Sequence, residues 1–306
     1  MRVALTGVSG FIGSVTARQL AEQGHQVTGL VRETSRRDHI EPFVDRFVVG
    51  DQADPACFDD LLNGADAVIH NSADWRSMAS GQASLAEIVN ANVRSSIELL
   101  ERSRPLPFVF VSSVAVHHDM RPRWNGRIDA DHPTRPGGYY GAYKAAVECF
   151  LWAEHAQHKR PFCAVRPSAV YGLDPKLDRS IGHPIIQKLA NGQAANRQGG
   201  GKFVHVEDVA ATLRHATEHL SAGSPTPPIV HLADCYARWA DWAKFAAEAL
   251  GVDATIDDSS PTEPKNQFTK DDAQALGVPL DRGHAGIKAA IDDLIAAMRT
   301  SGELPS

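Results

Sequence analysis

The chain predicts an α/β fold, a doubly wound parallel sheet with a smaller, mainly helical C-terminal lobe. Three observations carry this. Short continuous apolar runs alternate with amphipathic stretches through the first half; a glycine-spaced turn joins the first run to the first such stretch; and after Pro167 the alternation breaks into turns and separate helices. In order, Arg2 to Leu5 reads as a buried strand and Phe11 to Gln23 as a helix that Gly24-His25 turns back. Gln26 to Val31 and Arg46 to Val49 are the next strands, the latter followed by Gly50-Asp51. Pro55 to Asn63 reads as a helix, Ala67 to His70 as a strand, and Leu85 to Arg102 as a long helix whose apolar positions are Ile88, Val89, Ile97, Leu99 and Leu100. Phe108 to Ser112 is a strand, Tyr139 to His158 a helix and Phe162 to Arg166 a strand. Beyond Pro167 we expect a helix near Pro184 to Leu189, a strand Phe203 to Val206, a helix Glu207 to Leu220 and, after the loop Ser221 to Pro228, a returning strand Ile229 to Ala233. Arg238 to Leu250 and His284 to Met298 are amphipathic helices.

Composition narrows the function. The 306 residues are 43% hydrophobic and 22% charged, with a net charge of -6 and no basic block, which argues against a nucleic-acid partner. No apolar stretch spans a bilayer and nothing reads as a signal peptide, so a cytoplasmic protein with a small-molecule substrate and no membrane partner is expected. Cys57, Cys149, Cys163 and Cys235 are far apart and form no CxxC pair, which favours reduced structural thiols over a disulfide or zinc site; no metal site is expected.

Gly7, Gly10 and Gly13 end the first strand and open the first helix. Glycines let the backbone turn tightly and approach a pyrophosphate, and the helix start offers free N–H groups and a positive dipole end. With a strand before and a helix after, this is a dinucleotide site of Rossmann type, with Phe11 and Ile12 in the same turn. The second strand ends Gly29-Leu30-Val31-Arg32 and reaches no carboxylate until Glu33. An acidic residue there holds the ribose 2′-hydroxyl of NAD, whereas arginine suits the 2′-phosphate of NADP. Arg32, Arg36 and Arg37 therefore favour NADP(H), with NAD(H) as the alternative. Asp51 either accepts from the adenine amino group or caps the turn before Pro55. Residues 1–168 with about 203–235 would form the dinucleotide-binding domain, and about 169–202 with 236–306 the substrate lobe.

Tyr140 and Lys144 are four apart and share one helix face. An ammonium beside a phenol favours the phenolate and draws its pKa towards the working range. Ser113 lies just past the fifth strand, at the carboxyl end where ligands sit in such sheets. Tyr139, the rival phenol, has Tyr143 four residues on instead of a cation.

Glycine loop, strand-end serine and helical Tyr/Lys come in that order. Joined by Gly50-Asp51, Ala67 to Ala73, Asn92-Val93, Arg166-Pro167-Ser168-Ala169-Val170-Tyr171-Gly172 and Phe203-Val204-His205-Val206-Glu207-Asp208-Val209-Ala210, they make the chain resemble an extended short-chain dehydrogenase/reductase of the NAD(P)-dependent epimerase/dehydratase branch, over almost its whole length. The resemblance implies that Tyr140 is the acid/base at the substrate oxygen, that Lys144 tunes it and bonds the nicotinamide ribose, and that Ser113 bonds the same oxygen. It also implies that backbone from Pro167 through Ala169 to Val170 holds the nicotinamide and that Ala73 lines the adenosine side. Two positions depart from the family pattern: Tyr143 replaces a small residue before the lysine, and His117-His118 stand where Tyr-Gly is usual. A core or loop role for this histidine pair is the plainer reading, substrate contact the alternative.

Two reactions compete. One is NADP-dependent reduction of an aldehyde or ketone, or oxidation of the corresponding alcohol. The other is nucleotide-sugar epimerisation or dehydration with retained cofactor. Sugar-nucleotide members of the family usually anchor the diphosphate with an arginine before the Phe-Val-His-Val strand and another in an Arg-Pro-Gly-Asp-like segment. Here Lys202 takes the first place, and Asp281-Arg282-Gly283-His284 only echoes the second. That favours the reductase. A non-catalytic NADP-binding regulator is a third reading, against which both Tyr140 and Lys144 are retained. Specificity is expected from Gly172 to Arg197, Arg121 to Arg135 and the C-terminal lobe, with Trp75 and Arg76 as candidate pocket residues. A homodimer through Leu85 to Arg102 and Tyr140 to His158 is a further implication of the resemblance.

Overall fold

The computed structural model describes residues 1–75, 78, 83–118 and 124–305, so Arg76 and the first residues of the 121–135 segment lie outside the described residues. Seven strands form one parallel sheet: β1 (Arg2–Thr6), β2 (Gln26–Val31), β3 (Arg46–Val49), β4 (Ala67–His70), β5 (Phe108–Val111), β6 (Phe162–Pro167) and β7 (Ile229–Leu232). Their order across the sheet is β7-β6-β5-β4-β1-β2-β3. Val3 faces Val27 on one side and Ala67 on the other, so β1 is central. The winding reverses between β1 and β4, and the crevice outside their carboxyl ends is where such sheets bind ligands.

Both sheet faces are covered, which is why the strands read as unbroken apolar runs. Val3, Leu5, Val109 and Val165 pack with Leu20, Val209 and Leu213 from helices Phe11–Glu22 and Val206–Ser221. On the opposite face Ala4, Val68 and Phe110 pack with Leu99, Val147 and Leu151 from helices Ser95–Arg102 and Tyr139–His158. A second core is built by Ile186, Leu189, Trp242, Ile287, Ile291 and Leu294 under a three-stranded sheet of Ala169–Tyr171, Gly200–His205 and Cys235–Arg238. Among the described residues no helix is long and apolar enough to cross a membrane.

Elements differ from expectation where side chains reach backbone. The helix expected over Leu85 to Arg102 contains a π segment, Val89–Arg94. Its buried Asn92 accepts from the Asp74 N–H at 2.8 Å and so ties the helix to the loop after β4. Pro55–Cys57 is a 3₁₀ turn capped by Asp54 before the short helix Phe58–Leu62. The strand expected from Phe203 to Val206 runs from Gly200 to His205, because His205 already caps the following helix through Nδ1 and the Glu207 N–H (3.2 Å). The strands Ala169–Tyr171 and Cys235–Arg238 were not expected from the sequence; at three and four residues they carry no periodicity and exist through pairing with Gly200–His205.

Beneath the β1/β4 crevice, His70 Nε2 donates to Ser96 Oγ at 2.8 Å and Nδ1 accepts from Thr6 Oγ1 at 2.8 Å. Thr6 Oγ1 in turn accepts from the Asn71 and Ser72 N–H groups at 3.0 and 3.1 Å, fixing the start of the loop that follows β4. Burial pushes the His70 imidazolium pKa down to about 3, and His117 is lowered to about 3 for the same reason. The unfolded chain binds protons at both sites below about 6.5 and the folded chain only near 3, so stability is present above that window and lost as pH falls through it. Urea midpoints measured from pH 7 to pH 4 should fall, and His70→Asn should make the fall shallower; an unchanged slope would refute the assignment.

Candidate active site

Gly7 adopts φ +69°, and its carbonyl accepts from the Gly10 N–H at 3.0 Å. A Cβ on Gly13 would lie 2.1 Å from that carbonyl oxygen, so the first helix packs against the loop only because Gly13 has no side chain. No side chain caps this helix, and its first N–H groups are left for a ligand. Gly7, Gly10, Phe11 and Ile12 line a cleft of about 440 Å³, with Ala73 on the opposite wall and Arg32 and Asp51 among its residues. The Asp51 carboxylate also accepts from the Ala53 N–H at 3.0 Å, so cleft lining and turn capping coexist in one residue. Arg36 does not join this cleft: exposed, it donates to Asp38 at 2.7 Å. Arg37 stands over the Phe47 ring at 5.7 Å. The cradle of small residues, the uncapped helix and the length of the cleft fit a dinucleotide.

Ile12, Trp75, Val111 and Tyr140 also line a second cavity of about 550 Å³, together with Ser113, Pro167, Ala169 and Val170. Ser113 is the residue after Ser112, just past β5; its Oγ accepts from the Ala115 N–H at 3.1 Å and donates to the Pro167 carbonyl at 3.5 Å. Burial pushes the Tyr140 phenol up to about 12, and its hydrogen bond with Ser113 opposes that rise. Lys144 is buried and donates to the Val111 carbonyl, with Nζ 5.7 Å from the Tyr140 ring centroid. Its burial lowers the ammonium to about 7, which the Glu148 charge partly offsets. The lowered phenol pKa anticipated from Tyr-x-x-x-Lys is thus not what this arrangement gives. Removal from water raises the phenol and lowers the ammonium, so burial works against the phenolate that the spacing was expected to favour.

Below these residues lies a carboxylate that the sequence reading passed over. Glu148 is one turn beyond Lys144 on the same helix and is 3% exposed. It accepts from Arg166 Nε at 3.1 Å and Nη2 at 2.6 Å, and from Ser112 Oγ. Arg166 Nη1 lies 3.1 Å from His117 Nε2, which is 3.0 Å from His231 Nε2. With its proton on Nδ1, towards the Pro133 carbonyl, neutral His117 accepts from Arg166 at Nε2; His231 Nε2 lies 3.2 Å from the same Arg166 nitrogen. The repeat of Tyr140, Lys144 and Glu148 every four residues was the available signal. His117 is buried in this network, the core role expected for it, and also lines the second cavity. Lys202 and Phe268 line the same cavity, and Asp174 and Arg179 reach the cofactor cleft from the loop after Tyr171. Lys202 stands at the position the sequence singled out for anchoring a diphosphate, and Asp174 and Arg179 fall in the segment Gly172 to Arg197 expected to set specificity; no spacing in the sequence joins Phe268 to the site.

The profile of the NAD dependent epimerase/dehydratase family matches residues 3–233. The chain belongs to this family. Its members' chemistry makes it an NAD(P)-dependent enzyme, an oxidoreductase or an epimerase/dehydratase. It is 32% identical over 231 residues to a dTDP-glucose 4,6-dehydratase of Streptomyces niveus, covering 68% of this chain and 66% of the relative. Over 318 residues it is 23% identical to a cinnamoyl-CoA reductase of Medicago truncatula, covering 95% of each. In fold it is similar to the UDP-glucose 4-epimerase of Thermus thermophilus (TM-score 0.77, 21% identity, 97% of this chain and 100% of the other).

Gly13→Ala should lower NAD(P)H affinity by about 100-fold or more, because the first helix must move away from the loop. Fluorescence titration of the bound dihydronicotinamide checks this, and affinity within threefold of wild type would contradict it.

Proposed function

We propose that the protein is an NADP(H)-dependent oxidoreductase that reduces an aldehyde or ketone to the alcohol, or runs the reverse reaction. One observation carries the reading: Ser113 and Tyr140 share the wall of a cavity that has Lys202 as its one uncommitted cation among the described residues. A neutral phenol suits donation of a proton to a carbonyl oxygen. A nucleotide diphosphate calls for more than one ammonium or guanidinium, which speaks against the epimerase or dehydratase alternative. The 32% identity to a dehydratase supports that alternative, and the full-length similarity to a reductase supports the first.

Glycines 7, 10 and 13 with the first helix would hold the pyrophosphate, and the backbone at Pro167 to Val170 the nicotinamide end. Bound there, the cofactor supplies or accepts a hydride. Ser113 donates a hydrogen bond to the substrate oxygen and fixes it beside Tyr140. As the carbonyl carbon is reduced, the oxygen takes up the Tyr140 phenolic proton, and the Lys144 ammonium stabilises the phenolate left behind until solvent restores the proton. Arg32 in the cofactor cleft supports a 2′-phosphate, hence NADP(H) over NAD(H).

Tyr140→Phe should lower kcat by about 10²- to 10⁴-fold while NADPH binding stays within a few-fold. Retained biological activity in that variant would favour a non-catalytic regulator instead. Arg32→Gln should weaken NADPH by about 10- to 100-fold and leave NADH nearly unaffected, as paired titrations would reveal; equal losses would remove the NADP assignment. Leu85, Val89, Phe150 and Trp152 are large apolar residues left exposed on helices Leu85–Ile88, Val89–Arg94 and Tyr139–His158, which supports a homodimer. Sedimentation should give a two-chain mass at micromolar concentration and a one-chain mass for Phe150→Glu.

A further inference from the structure

The second cavity carries a charge pattern that carbonyl reduction by itself does not explain. Lys202 sits on the strand Gly200–His205, opposite Tyr236, and lines the cavity. It is half-buried, and among the described residues no carboxylate lies within ion-pair distance; its one contact is the face of Phe268, 5.7 Å from Nζ to the ring centroid. Of the described residues that line this cavity, His117 is the other basic side chain, and it is engaged by Arg166; Arg166 and Lys144 lie outside the lining, bound to Glu148 and the Val111 carbonyl. A half-buried ammonium without a counter-ion is costly to the protein alone, and a ligand that brings one negative charge removes that cost.

A second, independent feature lies at the mouth. The Trp75 ring stacks on the Tyr140 ring, centroids 4.4 Å apart and planes 28° from parallel, yet Trp75 is 56% exposed. It lines both the cofactor cleft and the second cavity. A broad exposed π-face thus adjoins the proton donor, and Phe268 and Val114 continue the apolar wall towards Lys202. Flat faces of this kind favour flat partners through offset stacking.

We infer that the substrate is a planar, conjugated carbonyl compound bearing a single carboxylate, its carbonyl at Ser113 and Tyr140, its flat body against Trp75 and its carboxylate on Lys202. The inference rests on the reductase reading of this same site.

Two aldehydes of different length, 4-formylbenzoate and 4-formylcinnamate, are compared with their neutral amides as substrates with NADPH. Their alcohol products are titrated calorimetrically onto the protein–NADP⁺ complex. The acids should bind about 10- to 100-fold more tightly than the amides, with a similar ratio in kcat/KM. In Lys202→Met the ratio should collapse towards one, and Lys202→Arg should restore most of it. Trp75→Ala should weaken acid and amide alike by about tenfold. Equal binding of acid and amide to the wild type, or an undiminished ratio in Lys202→Met, would overturn the inference. If the acids bind in a Lys202-dependent way but no aldehyde oxidises NADPH, the anionic subsite stands and the reductase reading fails.

Discussion

Burying Glu148 and Arg166 together costs both groups their hydration, which the bidentate pairing and the further contacts of Ser112, His117 and His231 offset. Those partners are what organise the site. Ser112 on the carboxylate sets the residue before Ser113; Arg166 sits at the end of β6, immediately before Pro167; His117 and His231 bring in the loop after β5 and the strand β7. One carboxylate therefore ties the helix of Tyr140 and Lys144 to three strand ends. Loss of either charge would strand the other in a low-dielectric interior, a penalty of about 3–5 kcal/mol. The arrangement fixes the position of the Ser113 and Tyr140 hydroxyls on the cavity wall.

The cofactor cleft rests on a different constraint, steric exclusion. The first helix begins so close to the Gly7 carbonyl that any Cβ at Gly13 would overlap it. That closeness brings free helix N–H groups to the mouth of the crevice between β1 and β4. Across it, Thr6 and His70 pin the loop that carries Asn71 to Trp75, and Asn92 holds the same loop from the π segment of the helix behind. The two clefts share Trp75 and Tyr140, so the loop that closes the adenosine side also shapes the substrate mouth.

Electrostatics at Tyr140 run opposite to the simplest expectation from spacing. Tyr140 and Lys144 lie on one face, Lys144 buried and Tyr140 half-buried, and desolvation disfavours the phenolate and the ammonium alike. Glu148, one turn further, supplies the negative charge that helps Lys144 remain protonated. Burial keeps the proton on the Tyr140 phenol but also disfavours the phenolate that donation would leave, so giving up that proton depends on a positive charge close by.

The order of elements was legible because it is local. Gln26–Val31, Arg46–Val49, Ala67–His70 and Tyr139–His158 form with the bounds that their apolar runs and turn residues imply. The glycine loop and the Ser113, Tyr140, Lys144 set were legible for the same reason: turn sterics and helical spacing act within a few residues. Tertiary structure decided what depends on long-range approach. Arg32 and Arg36 look equivalent in sequence, yet one joins the cofactor cleft and the other pairs with Asp38 outside it. His117 becomes part of a buried network only when β7 brings His231 beside it. Lys202, Phe268 and Trp75 are far apart along the chain and line one cavity because the strands Gly200–His205 and Gln267–Phe268 and the end of the loop after β4 converge there, a juxtaposition set by tertiary approach.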